Sequence, residues 1–200
     1  MIRGVFLPGL LLLALGAPAG ARAERFAIDP VHTRVAFQVS HAGFSSPVGT
    51  FSRPSGVLDF DENDWSQAHV DVRIPVGTLQ LGDEQWQGKI LDGTFFDAKK
   101  FPEAHFVSTK IEHAPGSDEA EVTSDLTLHG VTKPVTLHVK FNQLARHPLP
   151  PFRLTAGFSA TATLSRKDFG MEHWEKVVGD EVRLILEVEA TRDKDAADGH

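Results

Sequence analysis

The chain contains no cysteine, so it holds no disulfide, offers no thiolate to a metal, and lacks the acceptor thiol of a bacterial lipoprotein anchor. Its stability has to come from a packed core. Basic residues are not in surplus either: 20 Lys and Arg against 27 Asp and Glu give a formal net charge of −7, which argues against electrostatic binding to nucleic acid or to an anionic membrane surface. No apolar run reaches the roughly 20 residues that span a bilayer, so no stable membrane anchor is expected. Ten histidines are present, but none stands in an H-x-x-x-H or H-E-x-x-H spacing, and no serine stands in a G-x-S-x-G elbow. No catalytic residue, metal ligand or cofactor is assigned on these grounds.

What is present begins with Arg3, an apolar run from Val5 to Leu15, and a close on Ala21-Arg22-Ala23. A basic start, a short apolar centre and an A-x-A end describe a cleavable secretory signal over residues 1–23 and an exported, periplasmic chain. Its removal leaves 18 basic against 27 acidic residues, a net charge of −9. Residues 24–191 then read as one domain without an internal linker. The small and acidic stretch 192–200 reads as a flexible tail.

The pattern that organises the domain is Leu126–Phe141. Leu126 and Leu128 alternate with polar neighbours, the stretch His129–Pro134 interrupts, and Val135, Leu137, Val139 and Phe141 resume. This spacing predicts two strands around a turn, a hairpin that needs an apolar partner surface because two strands alone are marginal in water. Similar alternation recurs over Arg25–His41, around Gly56–Phe60, over Ser66–Thr78, Ala104–Glu112, Phe152–Leu164 and Glu181–Thr191. Between Gly82 and Phe96 the period changes. Asp83 is placed to cap, Trp86 and Ile90 are four apart, and Gly93 can end the turn, which predicts one short helix over Asp83–Asp92. The expected fold is therefore all-β: eight antiparallel strands with one short helix between the third and fourth. Pattern alone allows a sandwich or a closed barrel. Small inward residues beside Phe158, and long strands whose free edges closure would remove, favour the barrel.

Several stretches, in this order, resemble the YceI-like family of bacterial periplasmic proteins: Asp29-Pro30-Val31-His32-Thr33 with Phe37 and His41, Gly49-Thr50-Phe51, Phe95-Phe96-Asp97, Leu126–Val135, and Arg166-Lys167-Asp168-Phe169-Gly170 with Val178-Gly179-Asp180. The resemblance covers nearly all of residues 25–191. It implies a lipocalin-like barrel that binds an isoprenoid, quinone-like or related long-chain lipid. Two positions depart from the family pattern: Thr33 stands where serine is usual, and Ser124 where glycine is usual. The first keeps a hydroxyl; the second adds a side chain beside the hairpin that puts ligand size in question.

Strand parity supplies the candidate ligand-binding wall: Val35, Phe37 and Val39 from the first strand, Leu58 from the second, Val72 and Ile74 from the third, Phe106 from the fourth. The later strands add Leu126, Leu128 and Leu137, then Phe158, Ala160, Ala162 and Leu164, then Leu184 and Leu186. Ordinary core packing is the competing role for each of them. Trp86, Phe95 and Phe96 are placed to lid or plug one barrel end. Arg166 and Asp168 follow the seventh strand, either at a mouth where Arg166 grips a head group or as an ion pair that ties the loop down. Three functional readings stay open: a lipid carrier, a small hydrolase or isomerase acting in the same cavity, and a filled barrel acting through its surface. A homodimer is compatible with each.

Overall fold

The computed structural model describes residues 23–192; the expected signal sequence through residue 22 and the tail from residue 193 lie outside them. Ten strand segments and one helix follow in order: β1 (Glu24–Ile28), β2 (Arg34–His41), β3 (Val48–Phe51), β4 (Ser55–Phe60), β5 (His69–Pro75), α1 (Glu84–Leu91), β6 (Glu103–His113), β7 (Glu119–Leu128), β8 (Val131–Arg146), β9 (Leu154–Ser165) and β10 (Val178–Arg192). The pairing β1-β4-β5-β6-β7-β8-β9-β10 closes on itself because β10 also pairs with β1. This is a closed eight-stranded antiparallel barrel. The two extra segments are not extra staves. β2 continues the first strand and pairs with the same β10 through Val39↔Val182 and Val35↔Leu186, while β3 pairs with β2 and leads into β4.

The first strand breaks at Asp29–Thr33 for a local reason. One Asp29 carboxylate oxygen accepts from the backbone N–H groups of Val31 (2.7 Å) and His32 (3.1 Å), which folds the chain into a turn. The Thr33 hydroxyl then donates to the Glu189 carbonyl and accepts from the Glu189 N–H, both at 3.1 Å, so one side chain stands in for the missing ladder. The hydroxyl that Thr33 shares with serine is the part the fold uses.

The organising hairpin is tighter than its sequence suggests. β7 runs to Leu128 and β8 starts at Val131, so the turn is only His129-Gly130, both at positive φ (52° and 75°). That is the backbone a two-residue type I′ turn demands. Pro134 lies inside β8 opposite Asp125 rather than in the turn. It is tolerated because the β8–β9 ladder begins only at His138, so no partner strand needs the N–H that proline lacks. α1 matches its predicted span: the Asp83 side chain accepts from the Trp86 N–H at 2.8 Å.

The barrel interior divides into two zones. One end is packed solid: Phe60, 2% exposed, meets the rings of Trp65, Phe158 and Phe141 at 5.2–5.4 Å. Trp65 is stacked in turn on His113 at 4.1 Å. The room left by Ala156 and Ala190, both fully buried, is taken by these aromatic rings and by Phe26. The other end carries α1, the β2–β3 loop and the β9–β10 loop, and there the interior opens.

Candidate functional site

A cavity of about 260 Å³ occupies that open half of the barrel. Its walls come from alternating positions of β2, β5, β6, β7, β8 and β10. Val35, Phe37 and Val39 face it from β2, Val72 and Ile74 from β5, Phe106 from β6. Leu126, Leu128 and Leu137 line the hairpin side, Leu164 ends β9, and Leu184 and Leu186 complete the ring from β10. Phe106 is placed by register, between Val72 of β5 and Leu126 of β7. Trp86 of α1 reaches the wall together with Phe95 and Phe96. The Phe96 ring meets Phe51 edge-on at 5.5 Å, and Phe51 stacks on Phe37 at 5.6 Å, so an aromatic cluster roofs this end.

Five expected positions lie elsewhere. Leu58 and Phe158 belong to the solid end, packed among Phe60, Ala156 and Trp65. Ala160 and Ala162 are covered by a buried cluster that includes Val135, Leu137, Phe169 and Met171, so the space beside these small residues is filled by the chain itself. Asp168 is exposed, away from the cavity. The ion pair proposed for it does not form: Arg166 instead gives its side-chain donors to the carbonyls of Gly179 (2.8 Å), Val178 (2.9 Å) and Met171. Ser124 points inward, but its hydroxyl is committed to the Val135 carbonyl at 3.0 Å and it does not reach the cavity wall.

Pattern reading missed Ile90, Ala104, Val182, Val188 and Met171, which extend the same apolar wall. Most lie one step along a strand already named, and parity extended along β10 was signal enough. It also missed Ser40 and His41, polar residues at the end of β2 that carry no periodic signal at all. The wall holds four polar side chains of this kind: Thr33, Ser40, His41 and Arg166. Arg166 is 4% exposed. Burial pushes its guanidinium below the ordinary arginine range, while the charges of Asp180 and Glu175 pull the other way; an arginine stays cationic regardless.

Histidine–carboxylate pairs occur away from this cavity. His105 meets Asp71 at 2.7 Å and His138 meets Glu121 at 2.5 Å, both across neighbouring strands on the outer face. His129 packs edge-on against the Phe101 ring and contacts the Phe169 carbonyl at 2.9 Å. His32 contacts Asp29 at 3.0 Å at the β1–β2 turn, with Glu189 at 3.8 Å. That hydrogen bond, then the charges of Asp29 and Glu189, raise His32 above its ordinary pKa. Burial pushes Asp29 up, but the hydrogen bonds from His32 and from the Val31 and His32 N–H groups outweigh it and hold the carboxyl below its usual value.

A closed antiparallel barrel with one apolar internal chamber and a helix-covered end defines the lipocalin-like class. Within it, the YceI-like domain model matches residues 26–190, and the chain belongs to that family. A UPF0312 protein of Vibrio parahaemolyticus is 37% identical over 171 residues, 84% of this chain and 88% of that one. The crystal structure of BcnA from Burkholderia cenocepacia superposes with a TM-score of 0.72 at 28% identity, covering 82% of this chain and 99% of that one. A polyisoprenoid binding domain from Saccharophagus degradans shares the fold with a TM-score of 0.65 at 13% identity, over 84% of this chain and 98% of that one.

Proposed function

We propose that the protein binds, and thereby carries or sequesters, an amphiphilic isoprenoid or other long-chain lipid, polyprenyl or quinone-like, with its tail in the barrel cavity. The observation that carries this reading is the chamber itself: a space inside the barrel walled almost wholly by aliphatic and aromatic side chains. Water gains nothing there, and a hydrocarbon chain gains about 0.8 kcal/mol for each CH2 removed from solvent. Ten buried carbons, two isoprene units, contribute roughly 8 kcal/mol, which begins to exceed the cost of association. A volume of about 260 Å³ lies just under the roughly 300–1,000 Å³ of ordinary ligand pockets. It suits a slender tail segment whose remainder leaves through the mouth. The S. degradans domain described as polyisoprenoid-binding is built on the same barrel. The proposed role is binding rather than catalysis, and it is supported by the position of the histidine–carboxylate pairs described above outside the chamber. Export to the periplasm is part of the proposal and rests on Arg3, the Val5–Leu15 run and the Ala21-Arg22-Ala23 end.

The test is to purify the protein from the periplasm of its own host and analyse the organic extract by mass spectrometry. A stoichiometric long-chain lipid supports the proposal. No such lipid, together with no thermal stabilisation by added polyprenols or quinones, would sink it.

A further inference from the structure

Resting on the lipid-binding reading above, we infer that the rim of the open barrel end docks reversibly on a lipid bilayer. Phe44, Val48 and Trp174 insert among the lipids, so that a ligand passes between bilayer and cavity without crossing water. The first observation is what this rim exposes: Phe44 is 92% exposed, Trp174 63% and Val48 51%. Single exposed apolar side chains are ordinary, but several gathered on adjoining turns mark a contact surface.

The backbone holds these side chains outward. Phe44 stands on a turn closed by its own N–H to the His41 carbonyl (3.0 Å) and by the His41 N–H to the Ser45 carbonyl (2.8 Å), with Ala42 and Gly43 at positive φ. Trp174 opens a second turn, where its carbonyl accepts from the Val177 and Val178 N–H groups, both at 2.8 Å. The Ala42 N–H then donates to the Val177 carbonyl at 2.6 Å, which stitches the two turns into one rim. The aromatic side chains are thus displayed by hydrogen-bonded backbone.

Place selects the occupant. His41 and Pro47 from the first turn and Val178 from the second line the cavity, so the exposed rim continues into the apolar wall. A bilayer dissolves the class of ligand proposed for that cavity, and its interfacial region takes up Trp and Phe side chains. Leu149 and Phe152 are also exposed, but they stand on the β8–β9 turn at the solid end and contribute nothing to the cavity wall.

Charge permits the contact. The chain carries 27 acidic residues, yet none lies between His41 and Pro54, where Arg53 is the one Lys or Arg. Around Trp174, Glu172 and Glu175 are matched by Lys176 and by Lys167, which pairs with Glu175 at 3.3 Å. The rim is therefore free of the acidity that dominates the rest of the chain. It has no basic surplus either, so the attraction is apolar and needs no anionic lipid.

The experiment is co-sedimentation of the full mature chain with phosphatidylcholine vesicles, with and without phosphatidylglycerol, at low and raised salt. Calorimetry with farnesol and light scattering of the protein alone accompany it. The parent is expected to sediment with both vesicle types regardless of salt. Phe44→Ser with Trp174→Ser should lower the partition about tenfold or more, while Leu149→Ser with Phe152→Ser leaves it unchanged. Farnesol affinity should be the same in all three proteins, which shows that the variants are folded with the cavity intact. No sedimentation of the parent, or equal losses in the two double variants, overturns the docking. So does binding that requires phosphatidylglycerol and disappears in salt. A parent dimer that the Phe44 and Trp174 changes dissociate, without vesicle binding, assigns the rim to a second copy and overturns it as well. Each of these results, with farnesol still bound, leaves the lipid reading standing; no farnesol binding by the parent overturns that reading and the docking with it.

Discussion

Arg166 and Asp180 fasten the β9–β10 loop in opposite directions, and their side chains do so without pairing with each other. The Arg166 guanidinium reaches forward to the carbonyls of Met171, Val178 and Gly179, while the Asp180 carboxylate reaches back to the Ser165 hydroxyl and the Lys167 N–H. A backbone bond from the Arg166 N–H to the Asp180 carbonyl at 3.0 Å sits between them. Burial pushes Asp180 up, but the Ser165 and Lys167 hydrogen bonds and the nearby cations hold its carboxyl below the usual range. The two family stretches around Arg166 and Asp180 are thus one reciprocal clamp at the cavity mouth.

Removing either half should loosen that clamp unequally. Arg166→Met strands three carbonyls in a site that water does not readily reach, at a cost of about 3 kcal/mol or more, whereas Asp180→Ala removes exposed bonds worth about 1 kcal/mol. Urea denaturation of the two variants measures the difference. Equal losses would show that the buried donors matter no more than the exposed acceptor.

The two interior zones should respond differently to truncation. Phe60→Ala empties a fully packed ring cluster and should cost about 3–5 kcal/mol. Phe106→Ala trims a wall that already borders open space, so it loses fewer contacts and should cost clearly less. Thermal unfolding of both variants tests this; a Phe106→Ala loss as large as that of Phe60→Ala would mean the cavity is filled.

Gly49 is the position through which β3 controls the cavity wall. The Phe37 ring lies across Gly49, and an added Cβ would clash with the edge of that ring and sit 2.8 Å from a Leu81 methyl. Gly49→Ala should cost about 1–3 kcal/mol by overpacking and push Phe37 into the chamber. Lipid affinity should fall with it, which a titration with a prenyl alcohol reads directly.

The Asp29–His32 contact makes a stability term with a defined pH window. His32 is raised in the folded state, so its contribution is complete below the unfolded value near 6.5 and is lost as pH rises through the folded value. Asp29 is lowered, so its contribution is complete above the unfolded value of about 3.9 and is lost as pH falls through the folded one. NMR titration should find His32 above the ordinary histidine range in the parent and near it in Asp29→Asn. An unshifted His32 in the parent contradicts the contact.

Alternation made the eight strands readable, because a period of two over Val35–Val39 or Leu184–Val188 has one physical solution. The break at Asp29–Thr33 was not readable as a break, since the apolar parity resumes on its far side. Pro134 was misread as turn because proline in a strand is excluded only where a neighbour needs its N–H, and which neighbour reaches it is a matter of register. Parity also assigns a face and not a depth. Leu58 and Phe158 face inward as expected, yet they lie at the end closed by Phe60 and Trp65. The space beside Ala160 and Ala162 is filled by Phe169 and Met171, whose loop position carries no period. Ser40 and His41 were invisible for the same reason: a polar residue in a wall is recognised only once the wall is known.

Photo-crosslinking tests the central claim most directly. A prenyl probe bearing a diazirine near the tail end is equilibrated with the protein, irradiated, and its adducts located by peptide mass spectrometry. Adducts concentrated on inward positions such as Phe37, Phe106, Leu126 and Leu184 are the predicted result. Adducts confined to outward residues such as Ile185, or no specific adduct at saturating probe, would contradict a lipid tail inside the barrel.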